Sequence, residues 1–244
     1  MKIHKAKNKN KRSVGLIFVL QVVFGTLPAV LLVIFAMNVD DSNMLVGGYI
    51  SAAAIILCGF AYTILGRKYN ILISGLKGER ALYKIAKKFK NKYHIFLNVP
   101  IRYKHNRSEI DMLMVSENGV LIVEVKNHSG MICGSEKDEH WIQTKHYRDG
   151  KVTESEMHNP LRQLARQRDI LKHILRAEGH DVWLDGVVFF SNPFVKLSLN
   201  LVGDNTFVVS GEQELIRFID EYKPPKRLSE EDVDDIVEQL DRIM

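Results

Sequence analysis

Residues 109–126 read EIDMLMVSENGVLIVEVK, and this stretch decides the fold. Two apolar runs rich in β-forming residues flank Asn118-Gly119, the strongest short signal for a two-residue hairpin turn. Val120–Val123 is apolar at every position, which is typical of a strand covered on both faces. The stretch therefore predicts two adjacent, buried antiparallel strands.

Charged side chains stand at neighbouring ends of these strands. Because side chains alternate between the faces of a strand, Glu109 and Asp111 share one face of the first strand. Glu124 and Lys126 likewise share one face of the second. One interpretation is an ion-paired strand end, in which Lys126 neutralises a single carboxylate. The other uses the whole cluster: carboxylates supply hard oxygen ligands for Mg²⁺ or Mn²⁺, and the ammonium orients or helps deprotonate a water.

Asp111, followed after an apolar strand by Glu124-Val125-Lys126, resembles the Asp…(Asp/Glu)-x-Lys signature of the restriction-endonuclease-like PD-(D/E)XK superfamily. Four motifs in order narrow the resemblance to the nuclease-related (NERD) domain, over about residues 75–222. They are Gly78-Glu79, Glu109-Ile110-Asp111, the run from Glu124 to Gly130, and Asn159-Pro160-x-x-Gln163. Ile110 departs from the superfamily's Pro-Asp consensus and leaves Asp111 as the matching acid.

The resemblance implies an α/β fold with a restriction-endonuclease-like mixed sheet flanked by helices. It also implies metal-dependent hydrolysis of phosphodiester bonds in DNA or RNA, with Asp111 and Glu124 holding Mg²⁺ or Mn²⁺. By the same resemblance, Lys126 positions or activates the attacking water.

Two further residues have both a structural and a functional interpretation. Glu79 lies on the inward face of an amphipathic helix over 76–91. It either favours the helix N-terminus electrostatically or, as the resemblance implies, is an auxiliary metal ligand. Like Gln167, Gln163 falls inside the apolar arc of a helix predicted from Asn159-Pro160 to about Glu178. It is either a satisfied core amide or, as the resemblance favours, a residue that hydrogen-bonds the water or a phosphate oxygen.

The first 66 residues have the composition of a membrane anchor. Residues 1–12 carry six Lys and Arg and no acid, whereas Val14–Met37 and Met44–Leu65 are uncharged. At about 1.5 Å per residue, each uncharged run exceeds a bilayer core of about 30 Å. Two buried helices of a soluble domain would need polar stripes that are absent, and a signal peptide would have a shorter apolar stretch. Basic residues at 1–12 and at Arg67-Lys68 predict a hairpin with both chain ends in the cytoplasm.

These patterns predict five segments. They are a basic cytoplasmic tail (1–12), a two-helix transmembrane hairpin (13–66), a basic juxtamembrane linker (67–74), a nuclease-related domain (75–222) and an acidic C-terminal helix (223–244).

The net charge of +5 is unevenly distributed, because residues 67–108 hold twelve Lys and Arg and one acid. This basic segment contacts a nucleic-acid backbone, contacts anionic lipid headgroups, or is simply solvated. Arg102, Lys104 and Arg107 are predicted to lie in a basic loop over 101–108. The loop either holds a substrate phosphate or is an ordinary hydrophilic connection.

Other functional classes find little support in the sequence. The two cysteines cannot form a disulfide framework, the nine histidines lack zinc-ligand spacing, and no glycine-rich phosphate loop is present. A membrane-bound nuclease is the leading hypothesis. The alternatives are an inactive membrane-tethered scaffold that binds nucleic acid and an adaptor that binds lipid surfaces.

Overall fold

The computed structural model describes residues 3–6, 9–38, 44–203 and 207–244. By its contacts the chain divides into two compact units. The helical unit is Asn8–Leu76, and the α/β unit is Lys77–Met244 together with Met1–Lys7.

The helical unit contains α1 (Lys9–Asn38) and the first part of α2 (Met44–Phe89). The segments Arg12–Met37 and Leu45–Phe89 are long and apolar enough to cross a membrane, and almost none of their most apolar stretch is buried. Large apolar side chains are exposed along both helices, which is the arrangement that lipid would cover. The two helices are therefore candidate spans, and most of the predicted connection at 38–43 lies outside the described residues.

Helix α2 is longer than the sequence predicts. The linker at 67–74 and the helix expected to start at Leu76 are parts of one continuous helix that ends at Phe89. No proline interrupts this stretch, and single glycines are tolerated inside a helix at a cost of about 1 kcal/mol each. Lys87 and Lys88 lie in the last turn, where positive charge suits the helix dipole.

The α/β unit contains ten strands and the remaining helices among the described residues. The strands are β1 (Ile3–Lys5), β2 (His94–Tyr103), β3 (Asn106–Ser116), β4 (Gly119–Lys126), β5 (Gly130–Ser135), β6 (His140–His146), β7 (Val152–His158), β8 (Leu184–Phe190), β9 (Val195–Asn200) and β10 (Phe207–Ser210). The helices are α3 (Pro160–Ala177), α4 (Glu212–Glu221) and α5 (Glu230–Ile243). A six-stranded mixed sheet has the order β1-β2-β3-β4-β8-β10, and a four-stranded sheet has the order β7-β6-β5-β9.

The predicted hairpin is confirmed. Ser116 pairs with Gly119 across the turn, and Gly119 has a φ of 86°. Positive φ is readily adopted by glycine, which is why the turn uses it. Strand β4 lies between antiparallel β3 and parallel β8, and Gly119 to Glu124 are all buried.

The six-stranded sheet separates two apolar clusters. Helices α2 and α4 cover one face, where Leu82, Ile85, Leu215 and Ile219 are buried. Helices α3 and α5 cover the other face, and Trp141 of the smaller sheet packs into the same cluster. The fold is thus the mixed α/β sheet flanked by helices that the sequence predicts.

Strand β2 exchanges its buried face at Asn98. Ile95 and Leu97 pack into the cluster beneath α2, whereas Val99 and Ile101 pack into the cluster beneath α3. All four residues are odd-numbered, so regular alternation would have placed them on one face. Asn98 has a φ of 57°, a left-handed conformation that Asn adopts more readily than most residues, and this produces the exchange.

Part of the predicted basic tail is a strand. Ile3–Lys5 pairs in parallel with residues 95–97 of β2, and the Ala6 N–H donates to the Leu97 carbonyl. The His4 ring stacks on Phe96, and Lys5 lies over the Tyr83 ring of α2. These residues close one edge of the larger sheet and belong to the α/β unit.

The predicted basic loop over 101–108 is wrong. Strand β2 continues to Tyr103 and β3 starts at Asn106, so only Lys104 and His105 form the turn. The helix predicted after Asn159 is confirmed as α3, with the Asn159 side chain accepting from the Leu161 N–H as its N-cap. The acidic C-terminal helix is confirmed as α5, with a capping box between Ser229 and Asp232.

Candidate active site

The candidate site lies where β3 and β4 separate. The ladder between these strands runs from the turn as far as Met112 opposite Val123, and no pairing follows. Beyond that point the Val125 N–H donates to the Asp111 carboxylate, with 2.8 Å between N and Oδ2. A side-chain oxygen thus takes the place that a backbone carbonyl has in a regular ladder, which positions Asp111 beside the end of β4.

Glu124 and Lys126 lie on the same face of β4, as predicted from alternation, and both point toward α3. Lys126 Nζ donates to Glu124 Oε1 at 2.7 Å and to Gln163 Oε1 at 2.8 Å. Glu124 is 2% exposed, so its negative charge needs these partners. An ammonium has three N–H bonds. Two of them have acceptors among the described residues, so the third is available to a water or a phosphate oxygen.

Gln167, one helical turn after Gln163, completes the network. Its Nε2 donates to Glu124 Oε2 at 2.7 Å and to the backbone carbonyl of Glu109 at 2.8 Å. Both partners only accept, so the orientation of the amide is fixed. Gln167 therefore bridges the two strands on either side of their separation.

Sequence reasoning placed Gln167 in the buried arc of α3 but assigned it no role. The four-residue spacing from Gln163 was the available signal, because residues four apart share one face of a helix. A fully buried amide on that face needs partners, and here the partners are groups of the site.

The surroundings of Asp111 disfavour the ionised form of its carboxyl group. Burial raises its pKa well above the usual value, and the charges of Glu124 and Glu79 raise it further. The hydrogen bond from Val125 and the charge of Lys126 oppose this rise without cancelling it. The cluster thus carries more negative charge than Lys126 neutralises.

Glu79 reaches this region because Gly78 lets α2 approach β4 closely. A Cβ at Gly78 would lie 3.2 Å from a Val125 methyl group and 3.6 Å from the Asn127 Cβ. The side chain of Glu79 is half-buried, and its charge acts on Asp111. Its role as an auxiliary metal ligand stays a prediction.

The predicted nucleic-acid contacts surround the β2–β3 turn. Arg102 and Arg107 are exposed cross-strand neighbours, and Lys104 occupies the turn with a φ of 52°. Arg107 precedes Asp111 by four residues, about 13 Å along a strand. Like charges directly opposite each other destabilise a strand pair, so a bound anion would relieve this repulsion.

Two lysines of the basic segment 67–108 pair with acids of α4. Lys88 pairs with Glu212 at 2.8 Å, and Lys92 pairs with Asp220 at 2.9 Å. Both are surface ion pairs, which contribute little to stability. They also partly neutralise two of the lysines predicted to be solvated or to contact lipid headgroups.

The donor set fits a divalent cation held by two carboxylates. No group of three His, Cys, Asp or Glu side chains in the described part of the chain is placed to hold a metal ion. Mg²⁺ is commonly bound by one or two carboxylates, with waters and substrate phosphates completing its shell. The excess negative charge at Asp111 and Glu124 is the property that such an ion would neutralise.

These elements define a mixed α/β domain with two acids and a lysine where its central strands separate. Residues 74–191 match the sequence model of the family described as the nuclease-related domain (NERD). The description of this family indicates a nuclease-related function for the matched part of the chain.

Two known proteins are similar to this chain. An uncharacterized protein of Bacillus anthracis, pXO1-01, is 35% identical over 71 residues, which are 28% of this chain and 34% of that protein. The crystal structure of protein VC1899 from Vibrio cholerae aligns with 96% of this chain and 54% of its own, at 13% identity and a TM-score of 0.26. That score is too low to carry an argument. The chain spans about a third and about half of the lengths of these two proteins.

Replacing Asp111 with Asn should stabilise the metal-free protein at neutral pH. Because the pKa of Asp111 is raised on folding, the native chain holds a proton that the unfolded chain releases above about pH 4. Native stability from this group therefore falls as pH rises through that window. The Asn variant does not titrate there, so its advantage should grow with pH, to about 1 kcal/mol or more. Thermal unfolding in EDTA across a pH series measures this, and a variant less stable at every pH would contradict the account.

Replacing Gln167 with Met should destabilise the domain. The change keeps the shape but removes the donor to Glu124 and to the Glu109 carbonyl, and leaving such buried acceptors without a donor costs about 1–3 kcal/mol. Gln163→Met is the matched control. It removes one bond to Lys126 at a half-buried position and should cost less. Denaturant unfolding of both variants tests the order, and equal losses would argue against the bridging role of Gln167.

Proposed function

We propose that the chain is a membrane-anchored, metal-dependent nuclease that hydrolyses phosphodiester bonds in DNA or RNA. The observation that carries the proposal is the placement of Asp111, Glu124 and Lys126 around the separation of β3 and β4, inside a nuclease-related domain. In the reaction, a water oxygen forms a bond to phosphorus, the ester P–O bond breaks, and the leaving oxygen takes up a proton.

Each residue of the cluster has a distinct part in this proposal. Asp111 and Glu124 would hold Mg²⁺ or Mn²⁺, with Glu79 as an auxiliary acid. Lys126, oriented by Glu124 and Gln163, directs its remaining N–H at the attacking water or at a phosphate oxygen. When bound, the ion would lower the pKa of a coordinated water and offset charge that grows on the phosphate.

Substrate binding is proposed to use the basic β2–β3 turn. Arg107 lies four residues before Asp111 on β3, with Arg102 opposite it on β2 and Lys104 in the turn, so one strand of nucleic acid would be able to contact both the turn and Asp111. Contacts of this kind fix the position of a phosphate backbone without reading its sequence.

The membrane anchor is proposed to be a helical hairpin with both chain ends in the cytoplasm. Strand β1 precedes α1, yet it pairs with β2 of the α/β unit. This pairing supports placing the start of the chain and the α/β unit in the same compartment, which two crossings of the membrane would allow. The basic residues of 1–12 and Arg67-Lys68 favour the cytoplasm for that compartment.

A second candidate function is a non-catalytic protein that binds nucleic acid. The observation in its favour is that both oxygens of Glu124 already have partners, Lys126 and Gln167. These two hydrogen bonds hold Glu124 in place without a metal ion. Salt-sensitive binding of nucleic acid without cleavage would select this candidate over the nuclease.

Cleavage of labelled single- and double-stranded DNA and RNA by the full chain in detergent tests the proposal. Activity should require Mg²⁺ or Mn²⁺, disappear in EDTA and disappear in Asp111→Ala. Lys126→Ala should lower the rate by about 10²-fold or more, because it removes the positioned cation. Lys172→Ala, an exposed lysine of α3, is the matched control and should leave the rate unchanged. Full activity of Lys126→Ala would refute the assignment.

Cysteine labelling in intact cells tests the orientation. In a chain whose Cys58 and Cys133 are replaced by Ala, single cysteines are introduced as Asp41→Cys and Lys172→Cys. A membrane-impermeant thiol reagent should label position 41 in intact cells and position 172 only after lysis. The opposite pattern would show that the α/β unit faces outward, and labelling of both positions before lysis would contradict a membrane anchor.

A further inference from the structure

The turn that follows β4 holds His128, two residues after Lys126, and the charge of Lys126 acts on its ring. Gly130 has a φ of 83°, and a Cβ there would collide with the Thr144 carbonyl oxygen, so the turn ends on a residue that has to be glycine. The Ser129 carbonyl accepts from Gln143 Nε2 at 2.7 Å. These two contacts fix His128 between the end of β4 and strand β6.

The neighbouring amide determines which nitrogen of His128 carries the proton. Gln143 is 5% exposed, and because its Nε2 donates to Ser129, its Oε1 faces His128 Nδ1 at 3.2 Å. The Ser155 hydroxyl donates to the same Oε1 at 3.4 Å. An amide oxygen only accepts, so Nδ1 carries the hydrogen. The neutral ring then has its lone pair on Nε2.

The surroundings of His128 favour this neutral ring. Burial lowers its pKa, and the positive charges of Lys126 on β4 and Lys145 on β6 lower it further. The hydrogen bond with Gln143 opposes the shift. At neutral pH the imidazole is therefore in the form that can accept a proton.

Lys126 does not offer the same capacity. Its Nζ already donates to Glu124 and Gln163, two contacts that only a hydrogen-bond donor can make with these oxygens. It can position a water or a phosphate oxygen, but it has no lone pair while it is an ammonium. The proton of the attacking water needs another acceptor.

We propose that His128 Nε2 is the general base of the reaction, an inference that rests on the nuclease function proposed above. The water oxygen forms a bond to phosphorus while its proton moves to Nε2. The P–O bond on the opposite side breaks, and the leaving oxygen takes a proton from solvent. The imidazolium then releases its proton to solvent, so the protein returns to its starting state.

The test compares His128→Ala with His146→Ala, a matched exposed histidine at the end of β6, using the full chain in detergent with Mg²⁺. The probe is a labelled oligonucleotide of the kind that the unmodified chain cleaves. His128→Ala should lower kcat by about 10²–10⁴-fold, the usual contribution of a general base. Added imidazole should restore part of that rate in a concentration-dependent way, and His146→Ala should be unaffected. Thermal unfolding confirms that each variant is folded.

A second variant, Gln143→Glu, keeps the imidazole of His128 but changes its pKa. A carboxylate beside Nδ1–H makes the imidazole more basic, so the acidic limb of the pH–rate profile should shift to higher pH. A purely structural role of His128 would shift nothing.

The outcomes separate this inference from the proposed function. If the unmodified chain cleaves and His128→Ala cleaves equally well, only the assignment of the base is overturned. The same holds if folded His128→Ala loses activity but imidazole restores none and the Gln143→Glu profile is unshifted. If the unmodified chain cleaves no probe with either metal, the nuclease function fails and this inference fails with it.

Discussion

The site depends on one hydrogen bond, from the Val125 N–H to the Asp111 carboxylate. Strands β3 and β4 must part for side chains to converge on a phosphate, yet parting leaves backbone groups without ladder partners. A buried N–H without a partner costs about as much as a lost hydrogen bond. Asp111 satisfies this donor with the same carboxylate that is proposed to hold the metal ion. The opening between the strands and the position of the acid are therefore one structural feature.

Gln167 solves the matching problem on the other strand. The Glu109 carbonyl, which the separation also leaves outside the β3–β4 ladder, accepts from the amide that holds Glu124. The helix that carries Gln167 is fixed at its own start by Asn159, whose side chain caps α3 and donates to the carbonyls of Ser135, Glu136 and Asp138. The contacts of Asn159 with these carbonyls therefore help to place α3, and with it the Gln167 amide that binds Glu124. This chain of contacts explains why the Asn-Pro motif and the glutamines occur together.

The sequence predicts the parts of the fold that periodicity and turn chemistry control. Local rules predict the Asn118-Gly119 hairpin, the buried strand β4, the start of α3 and the cap at Ser229. The rest depends on tertiary pairing. A three-residue strand such as β1 is too short to show a periodic pattern. The polar residues of 101–108 predicted a loop, although the end of β2 and the start of β3 lie there. Gln167 was placed on the correct face, but its partners come from strands about 40 and 60 residues away, which no spacing rule encodes.

The two acids of the candidate site and the basic residues proposed to bind nucleic acid lie in parts of the chain with opposite net charge. Residues 109–244 are acidic overall, and a phosphate that approaches Asp111 and Glu124 meets repulsion before any metal ion offsets it. The segment 67–108 has a large basic excess, but Lys88 and Lys92 are engaged with acids of α4. The β2–β3 turn carries exposed cations of this segment at the end of β3 that begins the path to Asp111. Arg102 and Arg107 repel each other across the hairpin, and the phosphate backbone proposed to bind there would relieve this repulsion.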